Sequence, residues 1–289
     1  MKTVLFYSFK GGVGRTQTLL NSAKYLAEVK NKKVAIVDFD IYAPGVSYLS
    51  ANQKLENEEY FLKYLVDLFQ DKETKKIVTE KLSDNLTLIP AFNMQNIKPY
   101  HNLLTQLSKY LFSIKQNAHN EVDSLSTVAD NIFEVIKSDI ENIGEYDYIF
   151  FDARTGLTEV SDILFSQYVD LKVIVSSYND QNINGTNAVL DILPEMKLNK
   201  HKILRILSPK PKKSRDEFIG IKARANLDDN LKLRSKFEWL GTYEVPYEDE
   251  IVINDFQSWE KLQDGKNDYR NKIIAIANTI DDIFTDTLI

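Results

Sequence analysis

The sequence predicts a doubly wound α/β domain on a mostly parallel sheet, carrying a helical insertion. Three observations predict it. Residues 3–9 (TVLFYSF) form an apolar run of strand length; residues 15–29 place Leu19, Leu20, Ala23, Leu26 and Ala27 at helical spacing; and residues 33–38 (KVAIVD) form a second apolar run. Strand, helix and strand in such close succession make a βαβ unit, which implies parallel strands and a right-handed crossover.

The remaining elements follow in order. Residues 54–82 and 100–142 read as helices with one charged face, separated by a short strand at Leu86–Pro90. Tyr148–Phe151 is a strand ending at Asp152, and Val173–Ser176 is another, followed by a helix around 185–197. Lys202–Leu207 and Trp239–Val245 supply further strands, and residues 271–284 alternate Ile and Ala with polar residues as an amphipathic helix packed on the sheet. The expected organisation is one domain over residues 1–289, with the insertion at about 52–145.

Composition narrows the chemistry. Hydrophobic residues make up 43% of the chain, enough for a buried core. The absence of Cys excludes disulfides, thiolate zinc sites, Cys-ligated clusters and Cys nucleophiles. His101, His119 and His201 are too scattered in sequence to suggest a metal site. No apolar run approaches membrane-spanning length, and the first residues lack a signal-peptide cleavage region, so a cytoplasmic location is expected. Net charge is −6, yet residues 200–236 hold 12 Lys/Arg against 4 Asp/Glu.

The strongest motif is Lys10-Gly11-Gly12-Val13-Gly14-Arg15-Thr16, set between a strand and a helix, with Gln17 following. Glycines permit a tight turn whose N–H groups approach an anion, and the helix start adds its positive dipole end. The Thr16 hydroxyl suits Mg²⁺, and Arg15 can meet the outer phosphates. Asp38 and Asp40 close the second strand, where alternation points both to one side. One carboxylate can hold Mg²⁺ through water while the other orients an attacking water. Asp152 ends another strand and is a third candidate for the metal.

The loop departs from the ordinary pattern G-x-x-x-x-G-K-[ST], since Phe9 takes the first Gly position and Arg15 the Lys position. It resembles the deviant Walker A motif K-G-G-x-G-K-[ST] of the ParA/MinD family of ATPases at every position except Arg15, in a form similar to a KGGVGR subgroup often linked to bacterial conflict or regulatory loci. The resemblance implies a P-loop NTPase fold of the SIMIBI type, ATP and Mg²⁺ as cofactors, and an ATP-dependent homodimer acting on a protein partner. It implies that Lys10 reaches the partner protomer's ATP, and it assigns Asp40 to water positioning and Asp38, Asp152 and Thr16 to the metal. Tyr42-Ala43-Pro44-Gly45 resembles switch I, and Arg154-Thr155-Gly156 falls where the family has switch II, with the Gly156 N–H available to the γ-phosphate. Arg154 is expected to pair with phosphate or with Glu159. Pro209, Pro246 and Tyr247 fall where the family builds its adenine pocket. The sequence holds no N-K-x-D guanine motif, which favours ATP over GTP.

Arg is a bulkier planar fork than Lys. It keeps phosphate binding but follows charge onto the bridging oxygen less well, so slow hydrolysis is expected. Lys210, Lys212, Lys213 and Arg215 form a compact basic loop, read either as a solvated balance to the acidic remainder or as a surface for non-specific DNA. Asp281, Asp282 and Asp286 give the tail the wrong sign for a membrane helix. Two functional classes follow: an ATP-driven switch, or a nucleotide-bound scaffold without useful ATPase activity. An ATP-dependent ligase on the same fold lacks a visible second-substrate motif.

Overall fold

Val4 and Phe6 of β1 (Lys2–Tyr7) lie in one hydrophobic layer and Leu5 and Tyr7 in the other, all four fully buried. The same division recurs in β2 (Val34–Phe39), with Val34 and Ile36 against Ala35 and Val37. In β5 (Tyr148–Ala153), Tyr148 and Phe150 oppose Ile149 and Phe151. Strands apolar on both faces need cover on both faces, which a parallel sheet receives from its crossover helices.

The computed structural model describes residues 1–49, 60–72, 76–93, 98–118, 124–193, 201–210, 237–248 and 267–285. The other elements are α1 (Arg15–Glu28), α2 (Phe61–Phe69), β3 (Glu80–Ser83), β4 (Leu86–Ile89), α3 (Lys98–Ala118), α4 (Ser124–Glu141), α5 (Glu159–Leu164), β6 (Leu171–Ser176), α6 (Asp180–Ile192), β7 (His201–Lys210), β8 (Phe237–Pro246) and α7 (Asp268–Thr285). The eight strands form one sheet in the order β3-β4-β2-β5-β1-β6-β7-β8. Every pairing is parallel except β3 with β4. Helices α1 and α7 contribute to one layer, and α2 to α6 to the other.

Helix α7 is held by polar contacts as well as by Ile273, Ile276 and Ile280. Tyr148 donates to Asp281 Oδ1 at 2.7 Å, Lys32 pairs with the same oxygen at 3.2 Å, and Asn21 donates to the Tyr269 hydroxyl at 3.2 Å. Of the three acids expected to repel a membrane, Asp281 is thus buried in an internal network, Asp282 is exposed and Asp286 lies outside the described residues.

The stretch 52–145 is less uniformly helical than its charge pattern suggests. In place of one helix over 54–82, α2 stops at Phe69, Asp71 takes a left-handed φ of 52°, and Glu80–Ser83 joins the sheet edge. Asp67 collects both Lys63 and Lys72 there, so a charge pattern that suggested continued helix instead closes the turn after α2. Charged β3 residues suit an edge strand, where polar side chains discourage further pairing. Strand β4 lies inside the sheet beside β2, and the region 100–142 divides into α3 and α4.

Phe9 packs into the core from the loop after β1, directly against α6. A Cβ on Gly185 would stand 2.0 Å from Phe9 Cδ1, so the absence of a side chain there lets the ring seat. Gly185→Ala is expected to destabilise the fold by about 1–3 kcal/mol through overpacking, measured as a lower urea midpoint.

In β6, between β1 and β7, Lys172 is fully buried. Its Nζ donates to Ser166 O at 2.9 Å and Val169 O at 3.4 Å and lies 2.9 Å from His201 Nδ1. Burial pushes its pKa down to about 7 against the opposing fields of Asp130 and Asp170. A neutral amine, with two donors and one lone pair, fits two carbonyls and a His N–H. Between pH of about 7 and 10.5 the unfolded chain then holds a proton that the folded chain lacks, so raising pH through that window favours folding. Wild type is expected to gain stability relative to Lys172→Met between pH 7 and about 9, read from paired denaturation curves.

Candidate functional site

Parallel register brings the site together at the carboxyl ends of the strands. Asp38 of β2 and Asp152 of β5 are direct partners, and Phe6 of β1 pairs with Asp152 on its other side. The loop from β1 to α1 therefore rises beside both acids. Gly12 and Gly14 have φ of 76° and 74°, left-handed values that an L side chain rarely adopts. Gly14 is the N-cap of α1, with no side-chain capping bond and no acidic residue in the first turn. The first N–H groups of α1 thus lack a side-chain cap, the condition under which a helix start binds anions. A Cβ on Gly11 or Gly12 would meet nothing within 4 Å, so the loop is open on that side. At Gly14 a Cβ would come within 3.2 Å of Ser208 Oγ, which brings the end of β7 against the loop.

Arg15 and Thr16 meet the acids directly. Arg15 Nε donates to Asp152 Oδ1 at 2.7 Å, and Thr16 Oγ1 donates to Asp152 Oδ2 at 2.8 Å. Arg15 Nη2 lies 3.5 Å from Asp40 Oδ2. Burial works against the Arg15 charge, but Asp152 and then Asp40 outweigh it and raise its pKa. Asp38 is enclosed differently: Oδ2 accepts from Ser47 N at 2.8 Å and Ser47 Oγ at 2.7 Å, and Oδ1 accepts from Asp40 N at 3.3 Å. Burial, reinforced by the charge of Asp152, pushes Asp38 up to about 7 despite the Ser47 bonds. Burial likewise raises Asp40, with Arg15 opposing it.

The two switch-like segments flank this cluster. Arg154 lies over the Tyr42 ring at 4.0 Å, a contact in neither sequence expectation for it, and it joins the two segments. The Gly156 N–H, expected to face phosphate, donates here to Ser8 O at 3.4 Å, with a left-handed φ of 78°. Thr155, Lys10 and Gln17 are half-buried, and Val13 is buried in the hydrophobic layer that includes α1. Pro209 follows Ser208 in β7 through a cis bond, and Pro246 ends β8 opposite Lys210. Pro209, Pro246 and the exposed Tyr247 therefore gather at neighbouring strand ends, on the side where Ser208 meets Gly14. Lys210 pairs with Glu244 at 3.4 Å, while Lys212, Lys213 and Arg215 lie outside the described residues.

Three further contributors come from other elements. Ser47 is nine positions beyond the Asp38 carboxylate it binds, and its Oγ also accepts from Ala91 N at 2.9 Å. Ser208 reaches the loop from a distant strand. Tyr100 donates to Ile41 O at 2.7 Å, tying α3 to the segment after β2.

The residues fit a phosphate chain with a divalent cation. Arg15 Nη1, Asp40 Oδ1, Gln17 Oε1 and Ser8 Oγ are buried without a hydrogen-bond partner around an open, amide-rich loop. Thr16 and Asp152 set two hard oxygen donors side by side, a suitable pair for Mg²⁺. Among the described residues no three acidic or His side chains form a metal cage alone, so such a cation takes further ligands from phosphate and water.

The AAA domain family model matches residues 1–206. A virulence plasmid ParA family protein, pGP5-D of Chlamydia psittaci, is 34% identical over 91 residues, covering 32% of this chain and 33% of the relative. The chain thus matches about a third of the length of the curated relatives. An ATP complex of a Cyanothece McdA variant superimposes with a TM-score of 0.66 at 17% identity, covering 97% of this chain and 96% of that one. The Pyrococcus furiosus cell division ATPase MinD gives 0.62 at 16% identity, covering 98% and 99%. At these identities the two structures establish the fold, whereas the family match spans most of the described sheet. The chain belongs to the AAA domain family, and it is similar in sequence to ParA-family proteins and in fold to MinD.

Proposed function

We propose that this chain is an ATP-binding, Mg²⁺-dependent and slowly hydrolysing switch that dimerises on ATP and controls a protein partner, in a bacterial conflict or defence setting. The convergence of Arg15, Thr16, Asp40 and Asp152 at the mouth of an open glycine loop carries the reading. The amides of Gly11, Gly12, Val13 and Gly14 would cradle the phosphates, with Gln17 on the first turn beyond. Pro209, Pro246 and Tyr247 would border the adenine. Thr16 and Asp152, with Asp38 behind, would hold Mg²⁺, which would supply charge neutralisation to the phosphates.

In this reading Asp40 orients water, since its Oδ1 is buried without a protein donor. Lys10 reaches across to the second protomer. Tyr48, 70% exposed, and Leu157, 46% exposed, supply apolar surface on the two segments flanking the site, which supports a face-to-face pair. A complex of Aquifex aeolicus MinC with MinD supports a protein partner for a relative of this fold. Non-specific DNA contact through Lys210, Lys212, Lys213 and Arg215 has weaker support, because Lys210 already pairs with Glu244. No helix among the described residues is long and apolar enough to cross a membrane.

The contacts of Arg15 to Asp152 and Asp40 favour one second reading, a nucleotide-bound scaffold in which that arginine keeps the acids from catalysis. Phosphate release separates the two. Wild type is expected to turn over well below about 1 s⁻¹ without a partner, with Asp40→Ala slower still. Equal, negligible release from both would establish the scaffold instead.

Solution mass tests the pairing. Wild type is expected to double in mass with a slowly hydrolysed ATP analogue but not with ADP. Lys10→Ala is expected to remain monomeric while still binding nucleotide, and a dimeric Lys10→Ala would remove the cross-protomer role.

A further inference from the structure

Both carboxylate oxygens of Asp152 are engaged within the protein. Arg15 Nε occupies Oδ1 at 2.7 Å and Thr16 Oγ1 occupies Oδ2 at 2.8 Å. The two groups suited to a metal are thus bonded to each other and capped by a cation. Asp152 is fully buried and Arg15 is 8% exposed, so the pair is shielded from solvent. The same guanidinium reaches Asp40 at 3.5 Å, and its charge also acts on Asp38. It therefore serves three buried carboxylates.

We propose that Arg15 is a built-in counter-ion occupying the metal's place, so that the cation site forms only after a triphosphate draws the guanidinium away from Asp152. This rests on the reading of Thr16 and Asp152 as the metal pair. The arrangement is biased toward release. Arg15 Nη1 is buried with no hydrogen-bond partner, and both Nη2 contacts are long, 3.5 Å to Asp40 and 3.4 Å to Thr16 Oγ1. Phosphate oxygens offer the planar fork the bidentate acceptor it lacks here. Once the fork turns to phosphate, Asp152 becomes an uncompensated buried acid, and a divalent cation restores its balance. A cation arriving alone meets a neutralised carboxylate beside a fixed positive charge. Metal entry is thus conditional on nucleotide, and the residue that departs from the family motif imposes the order.

Manganese is the probe, read by loss of the free-ion EPR signal. Nucleotide-free wild type is expected to leave Mn²⁺ free. Arg15→Gln is expected to bind Mn²⁺ without nucleotide at least about tenfold more tightly, because the buried acid loses its counter-ion. Arg15→Gln/Asp152→Asn is expected to abolish that binding. Uptake by nucleotide-free wild type equal to that of Arg15→Gln overturns the proposal, and so does no uptake by folded Arg15→Gln. If Arg15→Gln does not fold, the nucleotide-free wild type decides, and Asp152-dependent uptake there overturns the proposal. A separate arm adds a slowly hydrolysed ATP analogue to wild type. Failure of Mn²⁺ uptake in that arm would unseat the nucleotide reading itself, independently of the resting contacts of Arg15.

Discussion

Two neighbouring parallel strands in register set Asp38 opposite Asp152, and the site is organised around the repulsion this creates. Neither acid reaches solvent. Each is compensated locally: Asp152 by Arg15 and Thr16, Asp38 by the backbone and hydroxyl of Ser47. The segment after β2 folds back because Asp38 collects Ser47, and the glycine loop lies low because its first helical residue bends onto Asp152. Local shape and electrostatic compensation are here the same set of bonds.

The sheet was legible because its strands are written as apolar runs, and both-sided burial follows directly from them. Arg15–Glu28, Tyr148–Ala153 and Phe237–Pro246 fall close to the elements read from periodicity. The region after residue 50 was less legible. Charge spacing cannot distinguish a helix from a turn whose lysines converge on one acid, as Lys63 and Lys72 do on Asp67. An edge strand such as Glu80–Ser83 carries charges for its own reasons.

The loop and the three acids were readable from motif and position, and their meeting follows from strand order. Their partners were not. Ser47 and Tyr100 contribute through tertiary packing, from positions whose local sequence gives no hint, while Ser208, beside the Pro209 read for the adenine pocket, meets the loop itself. Arg154 illustrates the same limit. Its neighbours in sequence suggested phosphate or Glu159, and gave no sign that the fold also lays it on Tyr42, across the gap between two segments far apart in the chain. Where a side chain's target lies on another element, residue type fixes only what it can bind.

The hydroxyl of Tyr100 holds the carbonyl of Ile41, one residue beyond Asp40. Tyr100 sits near the start of α3, a 21-residue helix that also displays the exposed Phe112. A shift of Asp40 must either carry this tyrosine along or break its bond. Helix α3 is therefore tied by one bond to the segment that carries Asp40, and the same helix displays an aromatic ring on the outside of the molecule.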